Sequence, residues 1–266
     1  HPNRIQLIGR TELAYFRELG DAGYQSLLEK LFAAHPAAIL LADAVGAEQR
    51  LSAMAERHDT PLLASPLPDD TLLDEVQYYL TRALARRETL HGVFMEVLGT
   101  GVLLRGSAGA GKSELALALI TRGHRLIADD APEFARITPD IVQGTCPPLL
   151  QDFIEVRGLG ILNIRAMFGD SAIKPEQQLQ LVIHLQPVTP ERLRGIDRLH
   201  GSYSSHQVLD LEIPEVTLPV APGREIAILV EAAVHQYILR RKGYDAADEF
   251  IERQRRILEE APTGKG

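Results

Sequence analysis

Tryptophan is absent from the 266-residue sequence, methionine occurs three times and cysteine once. With Cys146 as the single thiol, no intrachain disulfide can form, and nothing calls for an oxidising compartment. Standing beside Pro147-Pro148, Cys146 reads as a small buried side chain rather than a nucleophile. Long apolar runs are missing as well. The longest, such as residues 37–42 and 226–230, fall far short of the roughly 20 residues a membrane-spanning helix needs. Positive charge is also scarce: the formal net charge is −8, and lysine occurs only five times. A chain without clustered positive potential is not built for nucleic acid or an anionic membrane surface. What is present, 45% hydrophobic and 24% charged residues, is enough to bury a substantial core.

Residues 1–88 alternate short apolar runs with amphipathic stretches. The spacing predicts strands at 4–8, 37–42 and 61–64, with helices at 22–34 and 47–58. Such alternation implies a small α/β layer with a partly parallel sheet. After the turn-rich Ser65-Pro66-Leu67-Pro68, Asp69-Asp70 are expected to cap a helix over 71–87, and a domain boundary is expected near Thr89. Residues 89–266 form a second α/β domain. Strands are predicted at 93–98, 102–104, 124–128, 153–156, 180–185 and 208–213. Helices are predicted at 114–122, at 225–242 before Gly243, and from an Asp245 cap to about Glu260, with a frayed tail at 262–266. There is no internal repeat.

The segment Gly106-Ser107-Ala108-Gly109-Ala110-Gly111-Lys112-Ser113 matches the phosphate-loop pattern G-x-x-x-x-G-K-[ST]. Glycines let backbone N–H groups turn inward around phosphates, and the helix that follows points its positive end at the same place. Lys112 is suited to the outer phosphates and the Ser113 hydroxyl to Mg²⁺. From the residue frequencies, the pattern would arise by accident in about one such chain in 400. An apolar strand before it and an Ala/Leu-rich helix after it argue against a mere glycine turn.

Asp129-Asp130 lies seventeen residues after Lys112, at the end of the next predicted strand. A right-handed strand–helix–strand crossover brings that end to the same sheet edge as the loop. Two carboxylates there suit Mg²⁺ binding or acceptance of a proton from an attacking hydroxyl. The competing reading is a turn or helix cap before Ala131-Pro132. Glu155, ahead of Val156-Arg157-Gly158-Leu159-Gly160, is a candidate second metal ligand, directly or through water. His91 precedes a strand, and Arg224 follows Pro222-Gly223 at a helix start; each suits either the active site or ordinary structure. No H-x-x-x-H spacing suggests zinc.

Taken in order, His91-Gly92-Val93, the loop 106–113, the run from Gly123 to Asp130, and Glu155-Val156-Arg157-Gly158-Leu159-Gly160-Ile161-Leu162-Asn163 resemble the HPr kinase/phosphorylase family of bacteria. The resemblance spans about residues 89–260. Residues 1–88 look like that family's N-terminal domain with its beginning absent. It implies a P-loop kinase domain behind a smaller α/β domain, in a cytoplasmic homohexamer. It implies that Gly106, Ser107, Ala108, Gly109, Ala110, Gly111, Lys112 and Ser113 hold ATP or pyrophosphate, and that Ser113 and Glu155 bind Mg²⁺. Asp129 would exchange the proton with a serine of the phosphocarrier protein HPr, supported by Asp130, with His91, Lys112 and Arg224 at the active site. Glu225 stands where the family usually has Asn, which puts the role of that side chain in doubt. The reverse reaction, attack of inorganic phosphate on phosphoserine to give pyrophosphate, uses the same groups. Two other readings share the loop: a P-loop kinase of a small metabolite, and a nucleotide-sensing module without catalysis.

Overall fold

The computed structural model describes residues 4–189, 202–221 and 223–260 and divides into two units, residues 1–84 and 85–266. In the first, β1 (Ile5–Ile8), α1 (Arg10–Glu18), α2 (Gly20–Ala33), β2 (Ala38–Leu41), α3 (Gln49–Arg57), β3 (Leu62–Ala64) and α4 (Asp69–Ala83) follow one another. The strands pair in parallel in the order β1-β2-β3, over a core of Leu28, Phe32, Ile39, Leu41 and Leu51. Helix α1 was not anticipated. Its first amides are taken by carboxylates: Glu12 Oε2 accepts from Gly9 N at 2.9 Å and Asp43 Oδ2 from Arg10 N at 3.0 Å. Helix α4 differs from the sequence reading at both ends. Asp69 and Asp70 lie in its first turn, Pro68 holds the cap position, and the two carboxylates accept from the amides just after them. The expected helical stretch beyond residue 83 is instead Leu84 and a strand further on.

The second unit contains β4 (Arg87–Thr89), β5 (Val93–Val97), β6 (Thr100–Gly106), α5 (Lys112–Thr121), β7 (Arg125–Ala128), β8 (Glu133–Thr138), β9 (Ile141–Thr145), β10 (Phe153–Val156), β11 (Gly160–Asn163), α6 (Ile164–Phe168), β12 (Glu176–Pro187), β13 (Tyr203–Val208), β14 (Leu211–Val220), α7 (Ile226–Arg241) and α8 (Ala246–Glu260). Because β4 pairs with β8, the unit begins at Ala85, a few residues before the expected boundary. Nine strands form one sheet in the order β4-β8-β9-β12-β6-β5-β7, with β14 on β12 and β13 on β14. The stretch read as one strand over 208–213 is a hairpin bend: Leu209 and Asp210 have φ of 48° and 64° and join β13 to β14. The β8–β9 hairpin was also not anticipated. The predicted tail 262–266 and Pro222 lie outside the described residues.

Strand alternation sends Val102, Leu104, Leu181 and Ile183 to one face of the sheet, under α5 and α7, and Leu103 and Val182 to the other, with Phe94 and Phe134. Strand β7 returns in the same direction as β6, as the crossover requires. The two are not neighbours, however: β5 lies between them, antiparallel to both. The C-terminal ends of β6, β7, β12 and β14 therefore share one edge of the sheet, since β12 runs parallel to β6 and to β14.

Candidate active site

At that edge β6 ends in Gly106, with φ of 156°. A Cβ there would lie 2.7 Å from the Leu185 carbonyl of β12, so a side chain would push the loop off the sheet. Gly109 and Gly111 follow with φ of 79° and 83°, and Gly111 is the residue from which α5 starts. No side chain caps α5, which leaves its first amides facing the loop. Lys112 folds its ammonium back across the loop, donating to the carbonyls of Gly106 and Ser107 at 3.3 Å each.

The carboxylates converge from the ends of β7 and β10. Asp129, one residue past β7, is 6% exposed. It accepts from the Ser113 hydroxyl (3.2 Å to Oδ1) and from the backbone N–H of Glu155 on β10 (2.9 Å to Oδ2). Burial pushes the Asp129 carboxyl above its ordinary pKa; the Glu155 amide and the Ser113 hydroxyl pull it back, and the charge of Asp130 pushes it up again. Asp130 is exposed, sits at φ of 68°, and pairs through Oδ1 with His91 Nδ1 at 2.9 Å. A hollow of about 320 Å³ is lined by these groups together with Gly109, Glu114, Glu155 and Arg157. A larger hollow of about 520 Å³ lies between α3 and β3 in the first unit and contains none of this chemistry.

The structure thus brings together His91, the loop, Lys112, Ser113, Asp129, Asp130 and Glu155. Arg224 is not among the residues lining the hollow. It is exposed after β14 on the same sheet edge, with its amide donating to Ala221 O at 3.4 Å. Two contributors were not singled out from sequence. One is the Glu155 amide, since a backbone donor leaves no trace in residue type. The other is Arg157, whose guanidinium comes within 3.9 Å of where a Gly109 Cβ would lie. Among the described residues, no group of three or more His, Cys, Asp or Glu is gathered to hold a metal by itself. Ser113, Asp129 and Glu155 offer a few hard oxygens beside an anion-binding loop. That donor set fits Mg²⁺, which keeps waters and substrate phosphate oxygens as most of its ligands.

A phosphate loop at a strand–helix junction, faced by a buried carboxyl on the second strand over, defines a P-loop phosphotransferase. Residues 1–80 match the family model described as HPr Serine kinase N terminus, and residues 82–254 that of the HPr Serine kinase C-terminal domain. The chain belongs to the HPr serine kinase family. It is 49% identical over 260 residues to the HPr kinase/phosphorylase of Xanthomonas oryzae pv. oryzae, covering 97% of this chain and 82% of that one. The HPr kinase/phosphorylase of Stenotrophomonas maltophilia matches with the same identity and coverage. Among solved structures, the Hpr(Ser) kinase/phosphatase from Coxiella burnetii superposes with a TM-score of 0.55 at 34% identity, over 61% of this chain and 98% of that one.

Proposed function

We infer that this protein phosphorylates a serine of HPr with ATP or pyrophosphate and also catalyses phosphorolysis of the phosphoserine by inorganic phosphate. The observation that carries the reading is the approach of Asp129 to Ser113 of the loop, which puts a proton acceptor beside the place where phosphates bind. Neither a small-metabolite kinase nor a sensor module accounts for the family match over both units.

In the forward direction Asp129 takes the hydroxyl proton as the seryl oxygen bonds to the γ-phosphorus. The bond to the bridging oxygen breaks, and its electron pair leaves with ADP. A carboxyl with raised proton affinity is a better acceptor here than an exposed one. In reverse, protonated Asp129 returns the proton to serine as phosphate attacks. Residues 106–113 hold the donor phosphates, with Lys112 swinging from the loop carbonyls to the outer phosphates. Mg²⁺, held by Ser113 and Glu155, would neutralise phosphate charge. Asp130 and His91 fix one another at the rim beside the seryl group, and Arg224 supplies a further cation from the β14 side. The assembly is a cytoplasmic homohexamer built through the second unit, for which the broad apolar surface of α7 supplies material: Ile228 and Leu239 remain exposed while Val230 and Val234 are buried. Light scattering at micromolar concentration should give a hexamer mass; a monomer would refute this assembly.

The deciding experiment incubates the protein with labelled ATP, Mg²⁺ and HPr, then with phosphoserine-HPr and phosphate. Label should move to a serine of HPr, and the second incubation should release pyrophosphate. In Lys112→Ala both should be largely abolished, and near-normal turnover in that variant would sink the assignment.

A further inference from the structure

We propose that the hollow between β14 and α7 receives the adenosine end of ATP, with Leu229 and Ala232 deciding how much more tightly ATP is held than pyrophosphate. The inference rests on the kinase/phosphorylase reading above and adds to it a nucleoside subsite that the phosphate-loop pattern does not contain.

The order of the strands sets which way the nucleotide lies. Along β7-β5-β6-β12-β14, Asp129 stands two strands to one side of the loop strand β6, and β14 stands two strands to the other. A triphosphate laid across the loop with its outer phosphate at Asp129 carries its sugar and base away from β7, towards β12 and β14. The path is short. Leu185 of β12 pairs with Gly106 at the start of the loop and, on its other flank, with Leu218 of β14. Two strand spacings, about 10 Å, separate Gly106 from Leu218.

A hollow of about 310 Å³ opens there, within the size range of small-molecule sites. Leu218 and Leu229 give it apolar walls. Leu229, Ala232 and Gln236 recur at three- and four-residue spacing along one stripe of α7. Ala232, the middle one, contributes only a methyl group and leaves the space between its neighbours open. Gln186 and Gln236 add neutral amides, and neither has a hydrogen-bond partner among the described residues. None of the described lining residues is Asp, Glu, Lys or Arg, so the hollow offers no charge to a phosphate. It suits an uncharged planar ring instead. An amide can donate to and accept from the edge of adenine at once, while aliphatic side chains cover the ring faces.

The walls are also held in advance. Tyr203, which lines the hollow too, lies under the Arg240 guanidinium, 3.7 Å from the ring centroid, and Arg240 pairs with Asp245 at 2.8 Å. Elsewhere on α7, Glu231 accepts from Arg122 at 2.9 Å and lies 2.9 Å from His124 Nε2. Arg122 caps the end of α5, so the helix that walls the hollow is tied to the helix that begins at the phosphate loop. A subsite ordered beforehand costs little entropy when the base enters. Pyrophosphate shares the loop but has no base to place, so the hollow acts on one donor and not on the other.

The test compares the two donors on Ala232→Phe, with melting temperature measured on the same protein. The new ring fills the hollow from an exposed helix position, so the variant should melt with the wild type. Its Kd for ATP should rise about 10–100-fold, the loss expected when one ring is denied burial. The Kd for pyrophosphate, and pyrophosphate-driven phosphorylation of HPr, should match the wild type. Leu229→Ala, which removes a wall without adding bulk, should weaken ATP by about 3–10-fold and spare pyrophosphate in the same way; it carries the test if Ala232→Phe does not fold. Unchanged ATP affinity in the folded variants, or an equal loss for both donors, would overturn the subsite. A wild-type protein that phosphorylates HPr from neither donor would instead overturn the underlying reading. Activity with both donors, beside variants that fail to separate them, would remove only the inference made here.

Discussion

Two carboxyl groups sit at opposite ends of the same pair of strands, equally buried and oppositely tuned. Glu96 on β5 is 8% exposed, opposite Arg125 at the start of β7. Asp129, just past the other end of β7, is 6% exposed. Burial alone would push both upward. Glu96, however, accepts from Lys174, Arg125 (2.8 Å from Nε) and Gln177 (3.0 Å), and despite its burial Lys174 and Arg125 hold its carboxyl below the usual range. Asp129 has a hydroxyl, an amide and a like-charged neighbour, and its carboxyl stays raised. Partners, not depth, separate an ionised anchor from a carboxyl of raised proton affinity.

The sharpest way to break this comparison is to neutralise each group in turn. Asp129→Asn keeps shape and hydrogen bonding but cannot accept a proton, so transfer and phosphorolysis should both slow by about 10²–10⁴-fold. A folded-state pKa raised above the unfolded value contributes stability only at low pH, and that contribution is lost as pH rises through the folded value. Asp129→Asn should therefore melt no lower than wild type near neutrality, with the comparison shifting in favour of wild type on acidification. A melting loss with preserved turnover would make Asp129 a structural cap.

Glu96→Gln should do the reverse. It strands Arg125 and Lys174, both only partly exposed, and should cost about 1–3 kcal/mol while leaving the chemical step intact. Since the Glu96 carboxyl is depressed, its contribution is present above the unfolded pKa and fades as pH falls through the folded one, so the melting gap between variant and wild type should close in acid. A gap that widens in acid would contradict the assignment of Glu96 as an ionised anchor. The smallest effect belongs to Glu231 of α7, whose carboxyl is held down to about 2 chiefly by its hydrogen bond from Arg122 (2.9 Å), with His124 bound at 2.9 Å as well. Arg122 is substantially exposed, so solvent screens the pair, and Glu231→Gln should cost only about 0.5–1 kcal/mol by denaturant melting. A loss larger than that of Glu96→Gln would reverse the ranking.

The phosphate loop was legible because its chemistry is written in consecutive residues: glycines at left-handed positions, then Lys112 and Ser113 on the first turn of a helix. Asp129 was legible through topology, as the end of the strand reached by the crossover, even though β5 intervenes. Other features were hidden for identifiable reasons. The bend at Leu209-Asp210 uses left-handed backbone without glycine, so alternation ran straight across it. Helix α1 draws its cap from Asp43, a residue distant in sequence. Arg157 looks like any charge beside a glycine turn until the hairpin is folded over the loop.

The insertion of β5 between β6 and β7 also bears on how the molecule assembles. Strands β5, β6 and β7 and helix α5 all come from residues 93–128, and each strand of this group finds a neighbour within it. The other flank of β6 waits for β12, which begins only at Glu176. Closing short loops costs little conformational entropy and closing long ones costs more. The phosphate loop and Asp129 thus belong to the part of the sheet whose contacts are nearest in sequence. Substitutions there, such as Val97→Ala, should slow folding, whereas Val216→Ala on β14 should mainly speed unfolding. The loop and Asp129 would then be in place before β10 brings Glu155 to them.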